Sequence, residues 1–201
     1  MAKVISVFIL AIVILCIGIG CSHRPPLVVL EPYQAIGVVE FKSSAEGDIA
    51  KFTTQKFIEA ITEDQKGVEI IDLGNEADIL SEVDRKRLDP DALMEIGQKY
   101  NVRSVITGDL QISDIKPHIN IELIIESASA SADVEATLTS KMLSTGNGAI
   151  IWTSSSKEKE RVGHVSIFSG HFSFDAKDPQ DAYGELVESL VHDVTRDFRE
   201  R

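Results

Sequence analysis

An α/β fold, a mixed β-sheet with helices packed on it, is what this sequence predicts, and three observations predict it. Short apolar runs and amphipathic stretches alternate as β-α-β-α-β through the first half. Segments of period two then dominate from Arg103 onward, as expected of β-hairpins. An amphipathic helix opened by Asp178-Pro179 closes the chain. Strands that cover one another poorly need helices over their apolar faces, so this order implies layers around one core.

The elements follow in chain order. Ala35 to Phe41 is an apolar run of buried-strand type, and Asp48 to Glu63 places Ile49, Phe52, Phe57, Ile58 and Ile61 near helical spacing. Val68 to Leu73 reads as a second strand, and Glu76 to Lys86 as a short helical piece. Asp89-Pro90 marks a helix start, because proline at the first helical position gives up an N–H that has no partner there. Leu93, Ile96, Gly97 and Tyr100 line one face of that helix, and Asn101 suits its C-terminal cap.

Val105 to Ile112 reads as a strand, followed by Ile119, Ile121, Leu123 and Ile125 in alternation with polar residues. Ala128 to Leu138 alternates on the opposite parity, so a turn or bulge belongs between the two. Thr145-Gly146-Asn147-Gly148 has the composition of a hairpin turn leading into Ala149 to Trp152, and Trp152 reads as core. Lys157 to Arg161 reads as a charged, solvated arm. The last helix carries Tyr183, Leu186, Val187, Leu190, Val191, Val194 and Phe198 on one face.

The first twenty residues are of another kind. Lys3 is followed by an uncharged apolar run from Val4 to Ile19, and small residues lead into Cys21. Charge, apolar core and small residues at the cut are the order of an export signal. The Gly18-Ile19-Gly20-Cys21 ending resembles the lipobox of bacterial lipoproteins, with Gly18 where that family usually carries leucine. The resemblance implies a signal peptide over residues 1–20 and lipid attachment at Cys21. It also implies a lipidated tether over 21–34 and a single periplasmic domain over 35–201. Ser22, rather than aspartate, after the cysteine resembles the pattern that sorts to the outer membrane. The competing reading is an uncleaved anchor, since Val4 to Gly20 stands at the lower edge of the roughly 17–25 residues that span a bilayer. The tether holds Pro25-Pro26 and reaches about 35–45 Å at most. Leu27 to Leu30 could shorten it by packing as an edge strand.

Charge excludes some partners. The whole chain carries −12, and Lys3 is the only charged residue among the first twenty, so the remainder carries −13. That disfavours nucleic acid and any electrostatic grip on anionic lipid. Membrane attachment must then come from acyl chains or apolar side chains. With Cys16 inside the signal core and Cys21 acylated, no disulfide or thiolate metal site remains.

Behind the lipobox, an ordered set of signals carries a wider resemblance. The strand Ile36 to Phe41 precedes a helix; Val68 to Leu73 and the Asp-Pro-led helix come next. Tyr100-Asn101-Val102-Arg103-Ser104-Val105-Ile106-Thr107-Gly108 then precedes a Thr145-Gly146 turn that runs on to Ile151-Trp152. The set resembles the exported lipoprotein superfamily that includes three groups: the curli secretion channel, the lipoprotein activators of penicillin-binding proteins, and the amino-terminal domain of the Tol propeller protein. The resemblance covers roughly residues 35 to 200. It implies an extracytoplasmic, non-catalytic protein of an envelope machine, often ring-forming, with other envelope proteins as partners.

No catalytic or cofactor constellation competes with it. His23 falls in the tether and His192 on an amphipathic helix, while His118, His164 and His171 have no motif around them. A metal across His164 and His171 would lack further ligands at suitable spacing. No phosphate loop, nucleophile elbow or His-Glu-x-x-His run occurs. The expectation is therefore no cofactor, no metal and no enzyme. Val165 to Phe174 reads as a hairpin turning at Ser169-Gly170, each arm about five residues long and so too short to span a bilayer. Val165, Ile167, Phe168, Phe172 and Phe174 make it the candidate subunit interface, although internal burial of its apolar edge is the other possibility. The expected function is a lipid-anchored scaffold or accessory subunit of an envelope export or assembly complex, self-associating at the periplasmic face of the outer membrane. A regulator of a periplasmic cell-wall synthase is the alternative, and a hydrolase a distant third.

Overall fold

The computed structural model describes residues 28–118, 131–163, 165–168 and 171–199. Cys21, Ser22, His23, the Ile119–Ile125 alternation with its change of parity, His164 and the Ser169-Gly170 turn lie outside the described residues.

Every residue of β1 (Ala35–Val39) is buried, which requires cover on both faces and neighbours on both edges. β4 (Glu69–Gly74) and β5 (Ser104–His118) supply the edges, both parallel to β1. From β5 the sheet turns antiparallel through β6 (Ser131–Ser144) to β7 (Ile150–Val162), giving the order β4-β1-β5-β6-β7. The two-residue β2 (Lys42–Ser43) also pairs with β5. A second, small sheet has the order β3-β9-β8, where β3 is Glu46–Gly47, β8 Ser166–Phe168 and β9 His171–Phe174.

Two helices cover one face of the main sheet and two the other. α1 (Ile49–Asp64) buries Ile49, Thr53, Thr54, Phe57 and Ile61. The buried hydroxyls are spent locally: Thr53 donates to the Ile49 carbonyl at 2.7 Å and Thr54 to that of Ala50 at 2.9 Å. Thr54 Oγ1 also accepts from the Phe41 N–H. α4 (Pro179–Val194) lies beside α1 and buries Leu186, Val187, Leu190, Val191 and Val194 against β6 and β7. Its helical backbone is interrupted at Tyr183, where φ is −144°. Across the sheet, α2 (Glu76–Glu82) and α3 (Pro90–Tyr100) pack Ile79, Leu93 and Ile96 on Ala35, Val39 and Val105.

Local chemistry explains the helix ends. Asp89 Oδ1 accepts from the Ala92 N–H at 3.0 Å, and Asp178 Oδ1 from Gln180 and Asp181. Asn101 closes α3 in the left-handed region at φ 54°. That same end receives the β6–β7 turn. Thr145 Oγ1 donates to the Val102 carbonyl at 2.9 Å, and a methyl at Gly97 would stand 2.6 Å from Thr145 Cβ. The Asn-Val-Arg and Thr-Gly signals, far apart in sequence, are thus one packing unit.

Residues 28–34, expected within the tether, instead belong to the packed body. Leu30 is fully buried, and the Gln65 amide holds its neighbourhood in place. Gln65 Oε1 accepts from the Leu30 N–H at 2.8 Å, while Nε2 donates to the Val28 and Phe198 carbonyls. Val28 N–H also reaches the Asp197 carbonyl at 2.9 Å. A side-chain amide, not a strand ladder, fastens the start of the body to its end.

Replacing Asp178 by alanine should lower stability by about 0.5–2 kcal/mol through loss of the cap, read from urea denaturation. An unchanged midpoint would show that α4 does not start there. The Ala92 N–H, followed by Arg87, holds the Asp89 carboxyl below its ordinary range. A depressed folded-state value means that the contribution of Asp89 is complete above the unfolded carboxylate pKa of about 3.9 and is lost as pH falls through the folded value. In Asp89→Asn this part of the acid dependence should be gone, as measured by melting temperature against pH.

Candidate assembly surface

The long antiparallel strands β5, β6 and β7 reach past the α2–α3 layer, so among the described residues that face is left open along β6 and β7. Strand β6 sets the division. Ala132, Val134, Ala136, Leu138 and Met142 point to the helix-covered side and are buried, whereas Ser131, Asp133, Glu135, Thr137 and Thr139 point the other way and are half-exposed. The register lines up polar rungs across the open face: Asp109–Thr139–Ser155, Gln111–Thr137–Lys157 and Ser113–Glu135–Lys159.

Most charges on this face are matched across strands. Lys157 Nζ lies 2.6 Å from Glu135 Oε1, and Arg161 Nε lies 3.0 Å from Asp133 Oδ1. Thr139 and Ser155 share a hydrogen bond of 2.9 Å. Lys157 to Arg161, expected as a solvated arm, is the second half of β7, paired residue by residue with Asp133 to Thr137. The signal for this was present in the sequence: bases stand at 157, 159 and 161 and acids at 158 and 160, which is a period of two.

The hairpin expected as the interface has the anticipated register, with Ile167 opposite Phe172 and Phe168 opposite His171. Its role as a free apolar edge needs correction. Phe174 is fully buried and Val165 is 5% exposed, both inside the main core, and Phe172 is half-buried against it. Phe174 packs edge-on to Tyr183 with ring centroids 6.1 Å apart. The hairpin is not isolated either, because β3 pairs in parallel with β9. A two-residue strand gives no period for sequence analysis to detect. Trp152 is buried as expected; its ring stands 4.5 Å from that of Phe198 and its indole N–H reaches Asp197 Oδ2 at 3.2 Å.

Neighbouring charges and burial move a few ionisable groups from their ordinary ranges. Arg85 holds the Glu95 carboxyl below its ordinary range, and Lys99 with Tyr100 does the same to Glu82. The Glu82 hydrogen bond pushes the Tyr100 phenol up to about 12. Burial, helped by the Asp48 and Asp175 charges, pushes Tyr183 up to about 12. Among the described residues no group of three or more histidine, cysteine or acidic side chains is placed to hold a metal ion. No described helix is long and apolar enough to cross a membrane. At the step between α3 and the open face, Leu88, Leu143 and Ile150 line a shallow groove of about 680 Å³, with Ile150 59% exposed.

The chain superposes on a subunit of the PelC dodecamer from Paraburkholderia phytofirmans with a TM-score of 0.51 and 12% identity, over 89% of this chain and 94% of that one. Lipoprotein GNA1162 from Neisseria meningitidis is similar at TM-score 0.41 and 12% identity, over 63% of this chain and 83% of its own. For the LpoB C-terminal domain from Salmonella enterica the values are 0.41 and 10%, over 66% and 86%. At such identities the likeness is one of fold. No family model and no curated protein sequence matches the chain.

Placing Phe174 in the core has a measurable consequence. Phe174→Ala should cost about 3–5 kcal/mol in denaturant unfolding. Lys157→Ala, which loses one exposed ion pair, should cost under about 1 kcal/mol. Comparable small losses for both would put Phe174 at the surface.

Proposed function

We propose that this chain is a lipid-anchored, non-catalytic scaffold or accessory subunit of an envelope export or assembly complex. It is held at the periplasmic face of the outer membrane through acyl chains on Cys21, with Ser22 as the sorting residue, and it works as a homo-oligomer. One observation carries the reading: the fold is shared, over nearly the whole chain, with a subunit that assembles as a dodecamer. The open polar face supports it, because matched cross-strand charges suit a surface presented to partners and water and not a reaction centre.

The tether supports a scaffold over a regulator that reaches through the cell wall. Val28 and Leu30 are bound into the body by Gln65, so only residues 22–27 are left between the lipid and the fold. Six residues reach about 20 Å at full extension. That keeps the domain beside its membrane.

Two measurements test the proposal. Cell fractionation should find the wild-type chain in the outer membrane and Cys21→Ser released to the soluble periplasm, since three acyl chains bind firmly at about 0.8 kcal/mol per buried CH₂. Retention of the variant in the membrane would support the uncleaved anchor instead. Light scattering on the detergent-extracted wild-type chain should give a mass of several subunits. A strictly monomeric mass at high concentration would contradict the homo-oligomer.

A further inference from the structure

The large apolar side chains that stand exposed are not scattered over the body. Among the described residues they are Val29, Met94, Ile150 and Ile151, at 45%, 39%, 59% and 38% exposure. Single exposed apolar residues need no explanation, whereas several gathered at one place mark a contact surface.

All four gather near one end of the main sheet. Ile36 is level with Ser104, Ser104 with Ser144, and Leu143 with Ile150, so β1 and β5 start, β6 stops and β7 starts at this end. Val29 is next to Val28, whose N–H reaches the Asp197 carbonyl. The Asp197 carboxylate accepts in turn from the indole of Trp152, the neighbour of Ile151 on β7. Met94 lines a hollow of about 590 Å³ at the same end, together with Tyr33, Gln34, Thr145 and Gly146.

Charge is distributed to match. The connections at this end are residues 28–34, 65–68, 101–103, 145–149 and 195–199. They carry Glu31 and Asp197 against Lys66, Arg103, Arg196 and Arg199, in a chain whose net charge is −12. The acid excess therefore lies elsewhere, and these connections do not repel a layer of lipid headgroups. β7 runs away from this end and carries Lys157 to Arg161 toward the opposite one.

The chain itself limits what can cover the patch. Residues 22–27 stand between Cys21 and Val28 and reach about 20 Å at full extension. A domain tied this closely to acyl chains keeps near the lipid the end at which its tether enters. That is the end with the exposed apolar side chains. We propose that this end of the domain rests on the lipid surface, with Val29, Ile150 and Ile151 set among the headgroups. Apolar side chains at a membrane interface strengthen binding in proportion to the area they bury. The inference rests on acylation of Cys21 and adds to it the face that the domain turns to the membrane.

Spin labels test it on the full, acylated chain. Cys16 falls in the signal and Cys21 carries the lipid, so Val29→Cys, Ile150→Cys or Lys159→Cys each supplies the one free thiol. Every variant is labelled with a nitroxide, checked for fold by circular dichroism, and reconstituted into vesicles of phosphatidylethanolamine and phosphatidylglycerol. Lys159, toward the far end of β7, is the water reference. Collisions with a water-soluble nickel chelate should fall severalfold at 29 and 150 relative to 159, while collisions with lipid-soluble oxygen rise. Labels at 29 and 150 that meet the chelate as freely as the label at 159 overturn the inference. Protection from both collision partners would mean cover by protein, a second copy included, and overturns it too. Should a labelled variant misfold, Ile151→Cys takes its place with the same expectation. A chain whose mass shows no acyl groups contradicts the anchoring reading, and the inference falls with it; that mass tells this failure from the others.

Discussion

Strand β6 divides the molecule, because its alternation is nearly free of error. From Ala132 to Leu138 every even position is apolar and buried, and every odd one is polar. A one-residue slip would move Val134 and Leu138 into water and Asp133 and Glu135 under helix α4. Register with β5 and β7 is therefore fixed over the whole length of the hairpins. Small side chains at Ala132 and Ala136 let α4 lie close to the sheet, where Leu186, Val187 and Leu190 complete the seal. Once that face is closed, the other has no apolar side chains to attract a helix beyond the reach of α3. The open face is a consequence of the same pattern that builds the core.

The features that the sequence made legible are those encoded within a few residues. Asp89-Pro90 with Asn101, and Asp178-Pro179, carry their own capping chemistry, and the helices start and stop where those residues place them. The apolar run Ala35 to Val39 announces a central strand because every position must be covered. The features that escaped depend on partners far along the chain. Gln65 bonds to residues 37 and 133 positions away, and no local pattern distinguishes it from a surface glutamine. The burial of Phe174 depends on Tyr183 and on the two-residue strand β3. Lys157 to Arg161 failed for a different reason: its charge drew attention away from its period.

Net charge and local charge have separate consequences here. The overall excess of acid keeps copies apart at long range and does little within a Debye length of about 8 Å. At contact, the arrangement along each edge decides which approach is tolerated. A strand such as β7 would be an aggregation hazard if it were apolar and flat. Its lysine, arginine and glutamate side chains instead keep its second half polar on both faces.

Hydrogen exchange tests most directly the division that β6 imposes. Amides of β6, paired on one side with β5 and on the other with β7, should be among the slowest to exchange, together with those of β1. Amides on the outer side of β7, which pairs only with β6 among the described residues, should exchange rapidly. Rapid exchange along β6 would contradict the account.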